Sequence, residues 1–254
     1  MQRFKDKVVI VTGAGSGIGE ATARRFSEEG ACVVLAGRTP GKLENVAASL
    51  PPDRTLVVAT DVSAFDAVQS LVAKTVARFG ALHVLVSNAG VASDGDVVKD
   101  SLETFSETMN INVGGVVHGA RAALPELQKT GGCIVNTASV SGLGGDWGMA
   151  FYNASKGAIV NLTRSMAMDH GRQGVRVNAV CPSLTLTPMT EDMQDDPALM
   201  EKFNERIALG RPARPAEIAA AIAFLASDDA SFITGVNLPV DGGVTASNGQ
   251  PPGG

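Results

Sequence analysis

Aromatic side chains are scarce in this chain: a single tyrosine, Tyr152, and a single tryptophan, Trp147, occur in 254 residues. Cysteine is scarcer than a disulfide-stapled domain needs. Cys32, Cys133 and Cys181 lie far apart in apolar surroundings with no paired spacing, which reads as three reduced thiols behaving as small hydrophobes. His83, His118 and His170 are equally scattered, so no catalytic metal built on His or Cys ligands is expected. No stretch reaches the ~18 uncharged apolar residues of a membrane span, and the N-terminus has charges followed by only a short apolar run. A cytoplasmic location is the expectation. Basic blocks are missing too, and the net charge of −5 argues against nucleic acid as a partner.

What is present is apolar material, 44% of residues against 19% charged, enough to bury a substantial core. No linker or composition shift divides residues 1–254, so one domain is expected. Short β-rich runs at 7–12, 31–37, 55–60 and 81–88 alternate with helix-patterned segments near 18–29, 41–49 and 64–79. The second half continues with a long helix near 102–129, a strand at 132–139, a helix near 150–171, a strand at 175–181, a helix near 215–227 and a last strand around 236–240. The strand runs are continuous in Val, Ile and Leu, as expected when both faces of a sheet are covered. The pattern predicts an α/β, doubly wound parallel sheet of Rossmann type with helices on both faces. Two segments break the rhythm: about 183–210, long enough to be a lid over a site, and the Gly/Pro-rich tail from about 245 to 254, read as mobile.

The stretch "TGAGSGIG" sets glycines at every second position where the first strand ends and a helix begins. In a doubly wound sheet that turn faces a ligand crevice, where a helix N-terminus offers free N–H groups and positive dipole to a pyrophosphate. The spacing G-x-G-x-x-G fails here; T-G-x-x-x-G-x-G fits, through Thr12, Gly13, Gly17 and Gly19.

With that loop, the "NAG" of Asn88, Ala89 and Gly90, the "TDVS" containing Asp61 and Val62, and "PVDGG" at 239–243, the chain resembles the short-chain dehydrogenase/reductase family from about residue 5 to residue 243. The resemblance implies a nicotinamide dinucleotide held by Gly13, Ser16, Gly17, Ile18 and Gly19. It implies Asp61 and Val62 against the adenine, and Asn88, Ala89 and Gly90 along the adenosine ribose. An NAD site of this kind places a carboxylate at the end of the second strand, but Gly37 and Arg38 stand there. A guanidinium there favours the 2′-phosphate of NADP(H), with NAD(H) as the alternative.

In "YNASK", Tyr152 and Lys156 are four residues apart on a helix and therefore stack on one face. A phenol near pKa 10 is a poor acid–base at neutral pH, and an adjacent ammonium would lower it. Ser139, 13 residues earlier in "NTAS", belongs at the C-terminal end of a strand, where α/β sites assemble. The resemblance makes Tyr152 the general acid/base and gives Lys156 the nicotinamide ribose. It also makes Ser139 the hydrogen-bond donor to the substrate oxygen and Asn112 the holder of a water, with Asn110 the competitor for that role. It carries Pro182, Thr185 and Thr187 over to the nicotinamide side. One departure is Ser183, where the family has glycine after the proline.

Across "GGCIVNTASVSGLGGDWG", "NERIALGR" and "SDDASF" the chain is similar to the family's bacterial meso-2,3-butanediol (acetoin) dehydrogenases, which implies small diketones, hydroxyketones or vicinal diols. Ser139, Val140, Ser141, Tyr152 and Leu184 are the expected substrate contacts, with Met149 and Phe151 close by. Trp147 is read as either a substrate contact or packing in the core or between subunits. A 3-oxoacyl-[acyl-carrier-protein] reductase is the competing enzyme, and a non-catalytic dinucleotide sensor or scaffold the competitor from another class. The family implies a homotetramer built on the helices near 102–129 and 152–171, with Ala158, Met166 and Ala167 permitting close packing.

Overall fold

In the computed structural model, which describes residues 2–250, β1 (Val8–Thr12) is buried at every position. It lies third in a seven-stranded, wholly parallel sheet with β2 (Cys32–Gly37), β3 (Thr55–Ala59), β4 (Val84–Ser87), β5 (Cys133–Thr137), β6 (Arg176–Pro182) and β7 (Asn237–Val240). The order β3-β2-β1-β4-β5-β6-β7 reverses direction between β1 and β4, and a crevice opens beyond the strand ends at that point.

Alternation along β1 decides which layer each residue feeds. Val9 and Val11, with Val33, Leu35 and Val86, pack under α1 (Gly17–Glu28), α2 (Pro40–Ala47) and α9 (Pro215–Ala226). Ile10, Val34 and Leu85 face the other way, against α3 (Phe65–Phe79), α5 (Gly115–Thr130) and α6 (Ala150–His170). Each such side chain is worth ~1.5–3 kcal/mol when taken out of water, so a one-residue slip in register would expose a whole layer. Glycines with left-handed φ stop α3 at Gly80 (+81°) and α5 at Gly131 (+61°).

The single long helix expected near 102–129 is two helices, α4 (Leu102–Met109) and α5, joined by a π turn over Asn110–Gly114. The excursion after β6 is rooted by a short bridge: Leu186 N donates to Ala213 O at 2.9 Å and Ala213 N to Leu184 O at 2.9 Å. Between those feet it carries α7 (Glu191–Gln194) and α8 (Pro197–Arg206), the latter capped by Asp196, which accepts from Ala198 N and Leu199 N. The tail is fastened further along than its composition suggests, because the Asp241 carboxylate accepts from Thr245 N at 2.8 Å and Thr245 Oγ1 at 2.6 Å. Positions 251–254 of the tail lie outside the described residues.

The small residues expected to serve subunit packing on α6 are partly spent: Met166 and Ala167 are buried in the chain's own core, while Ala158 is half-buried. Among the described residues no helix is long and apolar enough to cross a membrane.

Candidate active site

The glycine loop leaves β1 and turns into α1 with Gly13 at φ +66° and Gly17 at φ +55°. A Cβ on Gly19 would stand 2.1 Å from Gly13 O, so this glycine closes the loop on itself. Thr12 braces the turn from below: its Oγ1 donates to Val86 O and accepts from Asn88 N at 2.9 Å and Ala89 N at 3.1 Å. The Asn88 side chain is used up in the same brace, donating to Thr12 O at 3.0 Å and accepting from Thr137 Oγ1 at 3.3 Å. Ser16 is extended at the N-cap and its side chain caps nothing, so the first N–H groups of α1 are open to an anion. The cradle therefore fits a pyrophosphate.

Around it the remaining sequence-predicted contacts assemble. Asp61 accepts from Ser63 N and Ser63 Oγ, and these bonds, the side-chain one first, hold its carboxyl below the ordinary range, helped by the nearby Arg38 guanidinium. Arg38 itself is exposed and has no ion-pair partner among the described residues. Val62 is buried over Gly115, where a Cβ would meet Val62 Cγ2 at 2.9 Å, and Val62 O lies 2.9 Å from His118 Nδ1. Ile18 packs half-buried against the core. Gly90 lies where a Cβ would be 3.8 Å from Lys156 Nζ, and Thr187 lies over Gly17, at 3.1 Å from a Cβ built there. Ala89 is half-buried in the same crevice.

On the sheet side, Pro182 ends β6, and Leu184 is buried beyond it. Ser183 has no left-handed backbone, and its Oγ donates to Asp241 O at 3.0 Å, so serine replaces the family glycine without strain and ties the turn to the segment after β7. The Thr185 hydroxyl donates to Ser183 O at 3.0 Å and keeps its lone pairs to accept. Trp147 is 99% exposed, which removes core packing from its possible roles.

The four expected catalytic residues come together on β5, the π turn and α6. Lys156 is buried, and its Nζ donates to Thr137 O at 2.9 Å while lying 5.5 Å from the centre of the Tyr152 ring. Burial brings the Lys156 ammonium down to about 8. Burial also pushes the Tyr152 phenol up; a hydrogen bond with Ser139 pulls the other way, and the Asp146 carboxylate pushes it further up. The Lys156 ammonium is directed at the Thr137 carbonyl, so in the structure burial, Ser139 and Asp146 are what bear on the phenol. Ser139 Oγ donates to Ser141 Oγ at 3.0 Å and accepts from Ser141 N at 3.1 Å, and Ser141 Oγ in turn donates to Asp146. Val140 is half-buried beside them.

Asn112, buried in the π turn, accepts from Val91 N at 2.8 Å and donates to Val91 O and Ser155 Oγ. Both amide protons of its side chain are committed, while Oδ1 keeps a second lone pair. Asn110, the competitor, is exposed. Sequence reasoning missed Thr137, Ser155 and Asp146. Only Thr137 carried a signal, being two residues before Ser139 and so on the same strand face.

A protein-family model described as enoyl-(acyl carrier protein) reductase matches residues 13–245. The chain is 57% identical over 249 residues to the meso-2,3-butanediol dehydrogenase of Serratia marcescens, covering 98% of both chains. The crystal structure of levodione reductase superposes with a TM-score of 0.92 at 37% identity, covering 96% of this chain and 99% of that one. That of 3-ketoacyl-(acyl-carrier-protein) reductase from Brucella melitensis complexed with NADH gives 0.88 at 35% identity, covering 95% and 99%.

Proposed function

Because this chain belongs to the short-chain dehydrogenase/reductase family, an oxidoreductase family, we propose that it interconverts a ketone and a secondary alcohol with NADP(H) in preference to NAD(H). The substrates are small diketones, hydroxyketones or vicinal diols, a reading supported by the likeness to the Serratia dehydrogenase. The observation that carries the proposal is the gathering of Ser139, Tyr152 and Lys156 beside the glycine cradle. A bound nicotinamide dinucleotide supplies or accepts the hydride.

The chain's own residues do the rest. Gly13, Ser16, Gly17 and Gly19 with the first turn of α1 bind the pyrophosphate, and Arg38 takes the 2′-phosphate. Tyr152, kept protonated by its surroundings, gives its proton to the carbonyl oxygen during reduction and recovers it during oxidation. Ser139 donates a hydrogen bond to that oxygen as charge develops on it. Lys156, with an ammonium near its midpoint at about pH 8, holds the ribose hydroxyls and refills the phenol. Asn112 fixes the π turn through Val91 and Ser155. Val140, Ser141 and Leu184 line the substrate side, with Leu186 and Met189 of the excursion exposed above them. Second copies of the chain would cover the exposed apolar residues Leu102, Phe105 and Val117 of α4 and α5 in a homotetramer.

The test is consumption of NADPH or NADH with diacetyl, followed as loss of reduced-nicotinamide absorbance. Turnover with NADPH that vanishes in Tyr152→Phe is the expected result. Turnover of an acetoacetyl thioester in its place would favour the second reading, a 3-oxoacyl-[acyl-carrier-protein] reductase, supported by this chain's likeness to the Brucella structure. Cofactor binding without turnover of any carbonyl would leave a non-catalytic dinucleotide protein.

A further inference from the structure

Three backbone groups meet at His83, where the chain enters β4 at the end of the sheet remote from the glycine cradle. His83 N donates to Val8 O at 2.9 Å, Cys133 N donates to His83 O at 2.9 Å, and Val8 N donates to the imidazole Nδ1 at 3.0 Å. The last of these lies just ahead of the first β1–β4 pair, Val9 with Val84, so a side chain extends the ladder by one bond. A ring nitrogen that accepts from an N–H carries no proton, which places the imidazole proton on Nε2. A second proton could go only to Nδ1, where it would meet the Val8 N–H donor to donor. His118 and His170 are bonded the other way round. Their Nδ1 atoms face Val62 O at 2.9 Å and Gln173 Oε1 at 2.8 Å, and both bonds survive the addition of a proton at Nε2.

We propose that His83 is a proton-operated latch: its neutral imidazole fastens the start of β1 to the start of β4, and protonation below neutral pH releases that fastening. The surroundings oppose the charged form. Burial first, and the Lys7 ammonium second, hold the His83 imidazole below its ordinary value of 6.5. His83 lines a cavity of about 470 Å³, and the charged groups that share it are Arg3 and Lys7 ahead of β1, Arg176 of β6 and Asp228 after α9. Arg3 is spent on Glu29, and Arg176 on the carbonyls of Leu225 and Ser227. Lys7 has no ion-pair partner among the described residues. From β5 comes the Cys133 thiol, which burial pushes up to about 11, and from the end of α5 the uncharged Thr130. Asp228 is the one acid on the cavity wall, so a proton on His83 adds charge to a wall that is already cationic. Below about 6.5 the unfolded chain therefore binds a proton that the folded chain refuses. The latch contributes its full stability above that value and loses it as pH falls, whatever the substrate of the active site.

The test follows the ring signals of the three histidines in the full-length protein by NMR between pH 8 and pH 5. Substituting glutamine for His118 and His170 in turn assigns the remaining signal to His83 without touching the latch. The Cδ2 carbon shift distinguishes the two neutral tautomers, and the Cε1–H signal gives the titration midpoint. The expected result is the Nε2–H tautomer with a midpoint below 6.5. Urea unfolding over the same range then compares the wild type with His83→Asn, whose amide oxygen accepts from Val8 N but cannot titrate. Relative to that variant, the unfolding constant of the wild type should rise about 5- to 30-fold between pH 7.5 and pH 5, the span that linkage allows one such group. An Nδ1–H tautomer, a midpoint at or above 6.5, or two stability curves that stay parallel with pH each overturn the latch. Where His83→Asn fails to fold, the tautomer and midpoint of the wild type decide alone.

Discussion

Lys156 Nζ donates to the backbone carbonyl of Thr137 at 2.9 Å, joining the acid–base helix to the strand that ends two residues before Ser139. That bond holds a cation in a buried place, and its consequence is a pH-dependent stability. In the unfolded chain the ammonium has its ordinary value of 10.5; in the fold it is brought down to about 8. Between the two the unfolded chain binds more protons, so stability rises with pH across that window and the penalty is complete below it. Its ceiling is about 3 kcal/mol.

Lys156→Met, which removes the charge at similar volume, is accordingly expected to be no less stable than the wild type at pH 7 and to lose ground relative to it by pH 10. Urea unfolding at both pH values measures this, and a stability difference that does not change with pH would refute the buried-charge account.

Tyr152→Phe is expected to reduce turnover by about 10²- to 10⁴-fold, the usual worth of a positioned acid–base. NADPH binding, followed by fluorescence, should survive the change.

Arg38→Ala should raise KM for NADPH roughly 10-fold or more, the worth of a charge-assisted bond, and leave KM for NADH nearly as it was. Equal effects on both cofactors would mean that Arg38 does not meet a 2′-phosphate.

Two glycines should respond in opposite directions. At Gly13 an alanine is strained by φ +66° and meets Asn88 Nδ2 at 2.9 Å, so Gly13→Ala should cost ~1–3 kcal/mol and weaken cofactor binding. Gly41, inside α2 with nothing within 4 Å, should gain ~0.5–1 kcal/mol as alanine. Thermal unfolding of the two variants tests both signs.

Ser183→Ala removes the bond to Asp241 O and should cost about 1 kcal/mol. If denaturant unfolding finds it neutral, the tie between β6 and the segment after β7 contributes nothing.

The sheet was legible in the sequence because strands covered on both faces are apolar along their length, and β1, β2 and β4 obey that rule up to the polar Thr12 and Ser87 at their C-terminal ends. Tyr152 and Lys156 were legible because a spacing of four on a helix fixes a common face. The break between α4 and α5 was not, since a π turn adds a residue to the helix without interrupting the apolar pattern that marks it. Nor was the state of Tyr152: Lys156 bonds a backbone carbonyl, and carbonyls leave no trace in side-chain identity. Asp146 reaches the site only because its loop is pinned from 95 and 153. Met166 and Ala167 illustrate a different limit, since small apolar residues on a helix look the same whether they face the core or a second subunit.

Leu186 and Ala213, which stitch the two feet of the excursion, make residues 187–212 a cassette whose ends are already in contact. Closing a longer or shorter loop across fixed ends changes the entropy by only about 0.6 kcal/mol per doubling of length. The excursion can therefore be exchanged or resized without disturbing the register of β5 or the seat of Tyr152 and Lys156. The excursion and the helix that carries Tyr152 and Lys156 are thus separate pieces of chain, joined to the sheet at different strands.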